Sequence, residues 1–200
     1  MRSSRVVASA LAAVAILAAS SSALAEPASF RLPDVGAIAI TVDGGHVRAH
    51  LMPRPRTSPS RREGVAVDRR LAIALHRASQ LVAVAGRGFV EAGRTFVVLG
   101  AAIPSVAKPG LGYCGAGTED YLLLIEWKTR PRRLELRDRV QVQSCLQSMA
   151  LQSDQGSELP VVLRGIDDPG KATLTWLQHP RYGPATKTVT APAGKFVVLP

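Results

Sequence analysis

The sequence predicts a mainly β fold, either a small antiparallel β-sandwich or a barrel-like domain, with one disulfide. Three observations support this class: segments that alternate apolar and polar residues recur, turn-forming residues separate them, and two cysteines flank one predicted hairpin. The 200-residue chain has 46% hydrophobic and 4% aromatic residues, which fits one globular domain. This composition excludes collagen, long coiled coils, disulfide-dense miniproteins and wholly disordered chains.

Residues 1–25 have the features of a secretory signal peptide. Arg2 and Arg5 precede an uncharged apolar stretch at residues 6–19, and Ala23-Leu24-Ala25 offers small residues for cleavage. The apolar stretch is shorter than the roughly 18 to 20 residues that cross a bilayer, so we expect no transmembrane anchor. Arg greatly outnumbers Lys and Ala is abundant, which indicates a GC-rich bacterial genome. We therefore expect cleavage after Ala25 and export to the periplasm or the medium, with residues 26–200 forming a single β-rich domain.

The first predicted hairpin joins residues 37–42 to residues 46–52. Asp43-Gly44-Gly45 lies between them, and its glycines allow the positive φ angles of a tight turn. On the second strand, His46 and His50 would lie about 13 Å apart, which is too far for them to share a metal ion. We predict neither a metal site nor a cofactor.

Residues 50–64 are predicted to form an exposed, mobile loop rich in Pro and Arg. Proline interrupts a strand ladder, and the clustered basic side chains repel one another. Such a loop would dock on an anionic envelope polymer, or it would serve only as a solvated linker. Nucleic acid is disfavoured because no aromatic residues are interleaved for base stacking. The arginines of this predicted binding loop are Arg54, Arg56, Arg61 and Arg62.

Residues 65–85 fit two structures. Apolar residues at three-four spacing, with Asp68 as N-cap and Gly86 as C-cap, would form a helix near residues 68–85 and make the fold α+β. Alternatively, the alternation of apolar and polar residues from Val65 to Leu75 predicts a strand. A turn at Ala78 and Ser79 would then lead into a second strand formed by the apolar run that follows. We favour strands, because the segment is rich in Val and turn signals are regularly spaced.

The cysteine-flanked hairpin joins residues 121–127 to residues 133–144. If Thr129 and Arg130 form the turn, one register buries an apolar face, matches opposite charges on the other face and brings the cysteines together. A disulfide is the expected state of such a pair in an oxidising compartment. This register pairs Ile125 with Leu134, Leu123 with Leu136, Glu126 with Arg133, and Cys114 with Cys145.

A third hairpin is predicted from residues 159–164 and 172–177. Asp167-Asp168-Pro169-Gly170 lies between them and has a composition that favours a turn. Residues 188–191 and 195–199 add two short β segments.

Two segments contain candidate binding residues. Residues 113–121 combine glycines, a cysteine and an acidic pair, and residues 176–183 place aromatic and basic side chains on a loop. Their structural alternatives are a bulged strand start and a core tryptophan with a tyrosine covering the sheet edge. Adjacent residues of a strand project to opposite faces, so the acidic pair could not flank one bond. The candidates are Tyr113, Glu119, Asp120, Trp176, His179, Arg181 and Tyr182.

These features favour a non-enzymatic binding or interaction protein of the bacterial envelope. The net charge of +10 favours electrostatic attraction to an anionic envelope polymer, and an envelope protein is the other expected partner. No HExxH, GxSxG, P-loop or zinc-knuckle pattern occurs in the sequence. The alternative function is a small periplasmic hydrolase that uses His179 with Glu119 or Asp120 as acid–base groups.

Overall fold

The computed structural model describes residues 27–52, 63–105, 117–152, 159–163 and 165–200. Within these ranges the fold is mainly β, with thirteen strands in two sheets and two short α-helices. None of the helices in these ranges is long and apolar enough to span a membrane. Three predicted features lie outside the described residues: the signal peptide, the four arginines of the basic loop, and Tyr113 with Cys114.

The larger sheet contains nine strands and the smaller sheet four. The larger sheet comprises β1 (Ala28–Leu32), β2 (Gly36–Asp43), β3 (His46–Leu51), β4 (Glu63–Val67), β5 (Gln80–Ala83), β6 (Phe89–Glu91), β7 (Arg94–Pro104), β8 (Thr118–Thr129) and β9 (Arg132–Ser144). The smaller sheet comprises β10 (Ala150–Leu151), β11 (Lys171–Gln178), β12 (Ala185–Thr190) and β13 (Val197–Leu199). The helices are α1 (Arg69–Leu75) and α2 (Leu159–Leu163).

The larger sheet curls into a nearly closed barrel. Its strand order is β1-β2-β3-β4-β9-β8-β7-β5, with β6 also pairing with β7, and every pair is antiparallel except β4 with β9. At one end of this order, β1 meets the segment between β5 and β6, where Gly88 N donates a hydrogen bond of 2.7 Å to Arg31 O. Arg31 and Arg87 form a parallel bridge at the same place. This contact covers part of the outer edge of β1, which would otherwise be open to pairing with another chain.

One apolar core fills the inside of the barrel. Phe30 and Ile40 point into it from β1 and β2, and Leu123 and Ile125 point into it from β8. Helix α1 adds further apolar side chains to the same core, including the fully buried Leu71.

A second core lies outside the barrel, between β7–β9 and the smaller sheet. Leu122 and Leu124 of β8 pack there with Leu174 and Trp176 of β11, and α2 covers part of the same surface. Trp176 is only 3% exposed, and its indole Nε1 donates a hydrogen bond of 2.7 Å to Val142 O. Consecutive residues of β8 are therefore buried on opposite faces.

The first predicted hairpin is confirmed as β2 and β3. Asp43 pairs with His46, and Gly44 and Gly45 form the turn with φ angles of 52° and 82°. The predicted loop at residues 50–64 is too long at both ends, because β3 continues to Leu51 and β4 begins at Glu63.

The register predicted for the cysteine-flanked hairpin is wrong by two residues at its turn. Arg130 and Pro131 form the turn, so Ile125 lies opposite Leu136 and Glu126 lies opposite Glu135 rather than Arg133. A shift of two residues keeps every side chain on its predicted face, because strand side chains alternate with a period of two. The predicted inward face is therefore correct.

Further along this hairpin, bulges enlarge the shift. Glu119 lies opposite Ser144, and Cys145 N donates a hydrogen bond of 3.3 Å to Thr118 O. Cys145 therefore lies beside Thr118, and Cys114 lies outside the described residues.

The preference for strands at residues 65–85 is wrong at α1 and correct on either side of it, in β4 and β5. Asp68 caps the helix by accepting a hydrogen bond of 2.6 Å from Leu71 N. The helix alternative extended this element too far. Ser79 N donates a hydrogen bond to Ala102 O of β7, so the chain has joined the sheet by Ser79 and cannot remain helical as far as Gly86.

The third predicted hairpin is wrong in its first strand. Residues 159–163 form α2, and β11 pairs with β12 instead. The helical spacing of Leu159 and Leu163 lets both side chains contact the surface around Gly100, where a Cβ would collide with them. Both short β segments near the C-terminus are confirmed as parts of β12 and β13.

Replacing Gly88 with Ala should disrupt the barrel seam, the contact between Arg31 of β1 and residues 87–88, and destabilise the protein. A Cβ at Gly88 would lie 2.5 Å from Phe96 O and 2.6 Å from Leu32 Cδ2. Overpacking of this kind lowers the free energy of unfolding by about 1 to 3 kcal/mol. Gly64→Ala is the matched control, because nothing lies within 4 Å of its added Cβ. Equal unfolding midpoints in urea for both variants would show that the seam is not tightly packed.

Candidate functional site

A cleft of about 380 Å³ opens where β8 begins and β9 ends. Thr118 and Gln143 line it from the barrel, Ser148 lines it from the turn after β9, and Gln178 lines it from the end of β11. The pairing of β10 with β11 brings these parts together, with Ala150 opposite Gln178. Both predicted binding segments, residues 113–121 and 176–183, therefore contribute to this end of the molecule.

Cys145 packs closely against the chain that leads into β8. A Cβ at Gly117 would lie 2.7 Å from both Cβ and Sγ of Cys145, so only glycine fits at position 117. Both residues line the cleft. No free cysteine is found in the described ranges.

The Glu119 carboxylate holds three chain segments together beside the cleft. Oε1 accepts hydrogen bonds from Ser105 Oγ at 2.8 Å and Leu146 N at 3.2 Å, and Oε2 accepts from Gln141 Nε2 and Ser144 Oγ at 2.6 Å each. These four donors tie the end of β7 and the turn after β9 to the start of β8. A carboxylate with all of these partners stabilises the local structure.

Asp120 lies on the opposite face of β8 and is fully buried, at 0% exposure. Its two oxygens find no hydrogen-bond partner in the described part of the chain. The pKa of Asp120 is raised to about 6. Burial is the largest cause, the nearby Glu119 charge adds to the rise, and the Thr118 side chain, which does not meet hydrogen-bond geometry, opposes it. The prediction that Glu119 and Asp120 project to opposite faces is consistent with these environments.

His179, Tyr182 and Trp176 form an aromatic cluster next to Gln178. The His179 ring stacks on Tyr182 with centroids 4.3 Å apart and meets the buried Trp176 ring edge-on at 5.1 Å. Arg181 and Lys187 place their cationic groups 5.5 Å and 5.6 Å from the Tyr182 ring centroid. Trp176 thus belongs to the core, while His179 and Tyr182 remain half-buried.

His179 is fixed as a neutral ring by its own loop. Its Nδ1 accepts hydrogen bonds from Arg181 N at 3.0 Å and Tyr182 N at 3.2 Å, so the ring proton sits on Nε2. Burial lowers the pKa of His179, and the positive charge of Arg181 lowers it further. The neutral ring therefore donates from Nε2 and is not set up to accept a proton there.

Among the described residues, no group of three or more His, Cys, Asp or Glu side chains is arranged to hold a metal ion. Comparison with known protein families, curated proteins and solved structures finds no match to this chain.

The cleft residues Gln143, Ser148 and Gln178 were not predicted as site residues. Polar residues near strand ends are ordinary in a sequence, and only the β10–β11 pairing brings these three together. The pairing of Glu126 with several cations was also not predicted from the sequence. A charged residue within the apolar run YLLLIEW does indicate a buried charge that needs partners.

Asp120→Asn should stabilise the protein at neutral pH and have no such effect in acid. The folded-state pKa of about 6 exceeds the unfolded value of 3.8, so the contribution of this carboxyl to stability is greatest below pH 4 and is lost as pH rises through 6. The gain at pH 7 to 8 should reach at most about 3 kcal/mol. Denaturant unfolding at pH 3.5 and pH 7.5 measures it, with exposed Asp43→Asn as the control. A variant that is no more stable than wild type at pH 7.5 would contradict the buried, unpaired carboxylate.

Proposed function

We propose that this chain is an exported, non-enzymatic binding protein of the bacterial envelope, and that the cleft holds its ligand. The observation that supports this proposal is the convergence of neutral hydrogen-bonding side chains at the cleft: Gln143, Ser148 and Gln178. Amides and hydroxyls both donate and accept hydrogen bonds, so they recognise a polar ligand without performing chemistry on it.

The ligand that fits this lining is an uncharged polar segment of an envelope protein. Glutamine amides match the N–H and C=O groups of a peptide, and the half-buried stack of His179 on Tyr182 supplies an aromatic surface beside the cleft. Because the lining groups are neutral, binding in the cleft should depend only weakly on salt.

Export and a Cys114–Cys145 disulfide are parts of the same proposal. The signal-peptide features of residues 1–25 support export, and an oxidising compartment favours pairing of the two cysteines. The close packing of Gly117 on Cys145 supports the disulfide, because it brings the chain within three residues of Cys114. The bond would anchor this wall of the cleft.

The alternative hydrolase has less support. Glu119 is occupied by four hydrogen bonds, and His179 Nδ1 already accepts two. Asp120 is buried, which leaves it no access to a substrate. Turnover of envelope polymers or esters that is lost in His179→Ala would reverse this preference.

Gln178→Trp should fill the cleft and abolish ligand capture. Gln178 is exposed at the end of β11, so the larger side chain is tolerated by the fold and occupies the ligand's volume. The matched control is Gln80→Trp, at an exposed position of β5 away from the cleft lining. Each mature protein would be used in pull-downs from envelope extract at low and high salt.

We expect wild type and the control to retain the same envelope protein at both salt concentrations, and Gln178→Trp to lose it. Equal capture by both variants would place the binding surface elsewhere. Capture that disappears for every variant at high salt would point to non-specific electrostatic binding.

A further inference from the structure

Three cationic side chains lie side by side on the outer face of the barrel, far from the cleft. Lys128 of β8 lies directly opposite Arg133 of β9, and the pairing of Thr95 with Trp127 places Arg94 of β7 on the other side of Lys128. We call Arg94, Lys128 and Arg133 the cationic row. Like charges opposite one another on neighbouring strands destabilise a sheet, so the row needs a compensating anion.

Glu126 supplies part of that compensation. Its side chain is only 2% exposed, and it binds Arg94 Nη2 at 2.6 Å, Lys128 Nζ at 2.7 Å and the Arg137 guanidinium. Burial alone would raise the pKa of Glu126, but the hydrogen bonds from these three cations hold it at about 2. Glu126 is therefore ionised at every physiological pH, and it orients the cations around it.

The compensation is incomplete. Glu135 is the second carboxylate of this surface, and it forms ion pairs with Arg133 and Arg137. Two carboxylates thus pair with four cations, and Glu91 of β6 lies directly opposite Arg94 as a third carboxylate, which leaves a surplus of one positive charge. The four cationic side chains remain 34% to 42% exposed, so a ligand can reach them.

One donor of the row also lacks an acceptor. Arg133 Nε is buried and finds no hydrogen-bond partner among the described residues. A buried N–H without an acceptor costs free energy, and its burial keeps a ligand in solvent from reaching it. The surplus charge and the exposed parts of the guanidinium and ammonium groups are therefore what an anionic oxygen ligand would contact.

We infer that the cationic row binds the phosphate groups of an anionic envelope polymer. Guanidinium groups bind phosphate oxygens through paired N–H donors, and an ammonium group adds a point charge. The row crosses three strands and spans about 10 Å, which suits a chain of linked phosphates better than a single ion. It lies roughly 30 Å along β8 from the cleft, so it is a separate site and does not rest on the peptide ligand proposed there.

The test compares two double variants for binding to inorganic polyphosphate, followed by fluorescence anisotropy over a range of salt concentrations. Lys128→Ala/Arg133→Ala removes two cations of the row, and Glu126 and Glu135 keep Arg94 and Arg137 as partners. Arg48→Ala/Arg70→Ala removes the same charge from exposed positions elsewhere. We expect the first variant to bind at least about tenfold more weakly and with a smaller salt dependence, and the control to bind within about twofold of wild type.

Three results would overturn the inference: wild type does not bind polyphosphate at low salt, both double variants weaken binding equally, or wild type prefers duplex DNA to polyphosphate. Equal weakening would show a net-charge effect, and a DNA preference would assign the row to nucleic acid. Lys128→Gln/Arg133→Gln keeps polar side chains without the charge and gives the same readout if the alanine variant unfolds. Gln178→Trp should bind polyphosphate like wild type. Failure of the cleft proposal can therefore be distinguished from failure of the inference about the cationic row.

Discussion

Burial of β8 on both faces is the constraint on which the rest of the structure depends. Leu123 and Ile125 pack inside the barrel, while Leu122 and Leu124 pack beneath the smaller sheet. The middle of β8 therefore has no solvated face, and charged groups nearer its ends are either paired there or left without a partner. The outer face of β8 shows both cases. Glu126 lies where three cations reach it, and Asp120, six residues earlier, has no partner in the described ranges.

The sequence carries enough information for the strands and their faces, but not for the packing between sheets. Alternation identifies the inward face of β8 and β9 correctly, although the turn at Pro131 shifts their register by two residues. Asp68 marks the start of α1, yet the Val-rich surroundings favour strands there. The five residues of α2 form a helix because Leu159 and Leu163 fit the space over Gly100. Tertiary contacts of this kind are not visible in a local pattern.

The candidate sites likewise divide into features that local sequence predicts and features that only the packing of separate strands creates. Opposite environments for Glu119 and Asp120 follow from strand geometry alone, and the aromatic cluster around His179 is local in sequence. The neutral cleft and the cationic row form only when separate strands come together. The β8–β9 hairpin therefore presents two chemistries: hydrogen-bonding amides and hydroxyls at one end, and surplus positive charge at the other.

The most direct test of two-sided burial compares Leu123→Ala with Leu124→Ala, two neighbouring residues on opposite faces of β8. Both side chains are at most 1% exposed, one in each core. Each substitution should therefore lower the free energy of unfolding by about 2 to 5 kcal/mol, measured by denaturant titration. If either variant loses less than about 1 kcal/mol, one face of β8 is not enclosed, and the two-core architecture is contradicted.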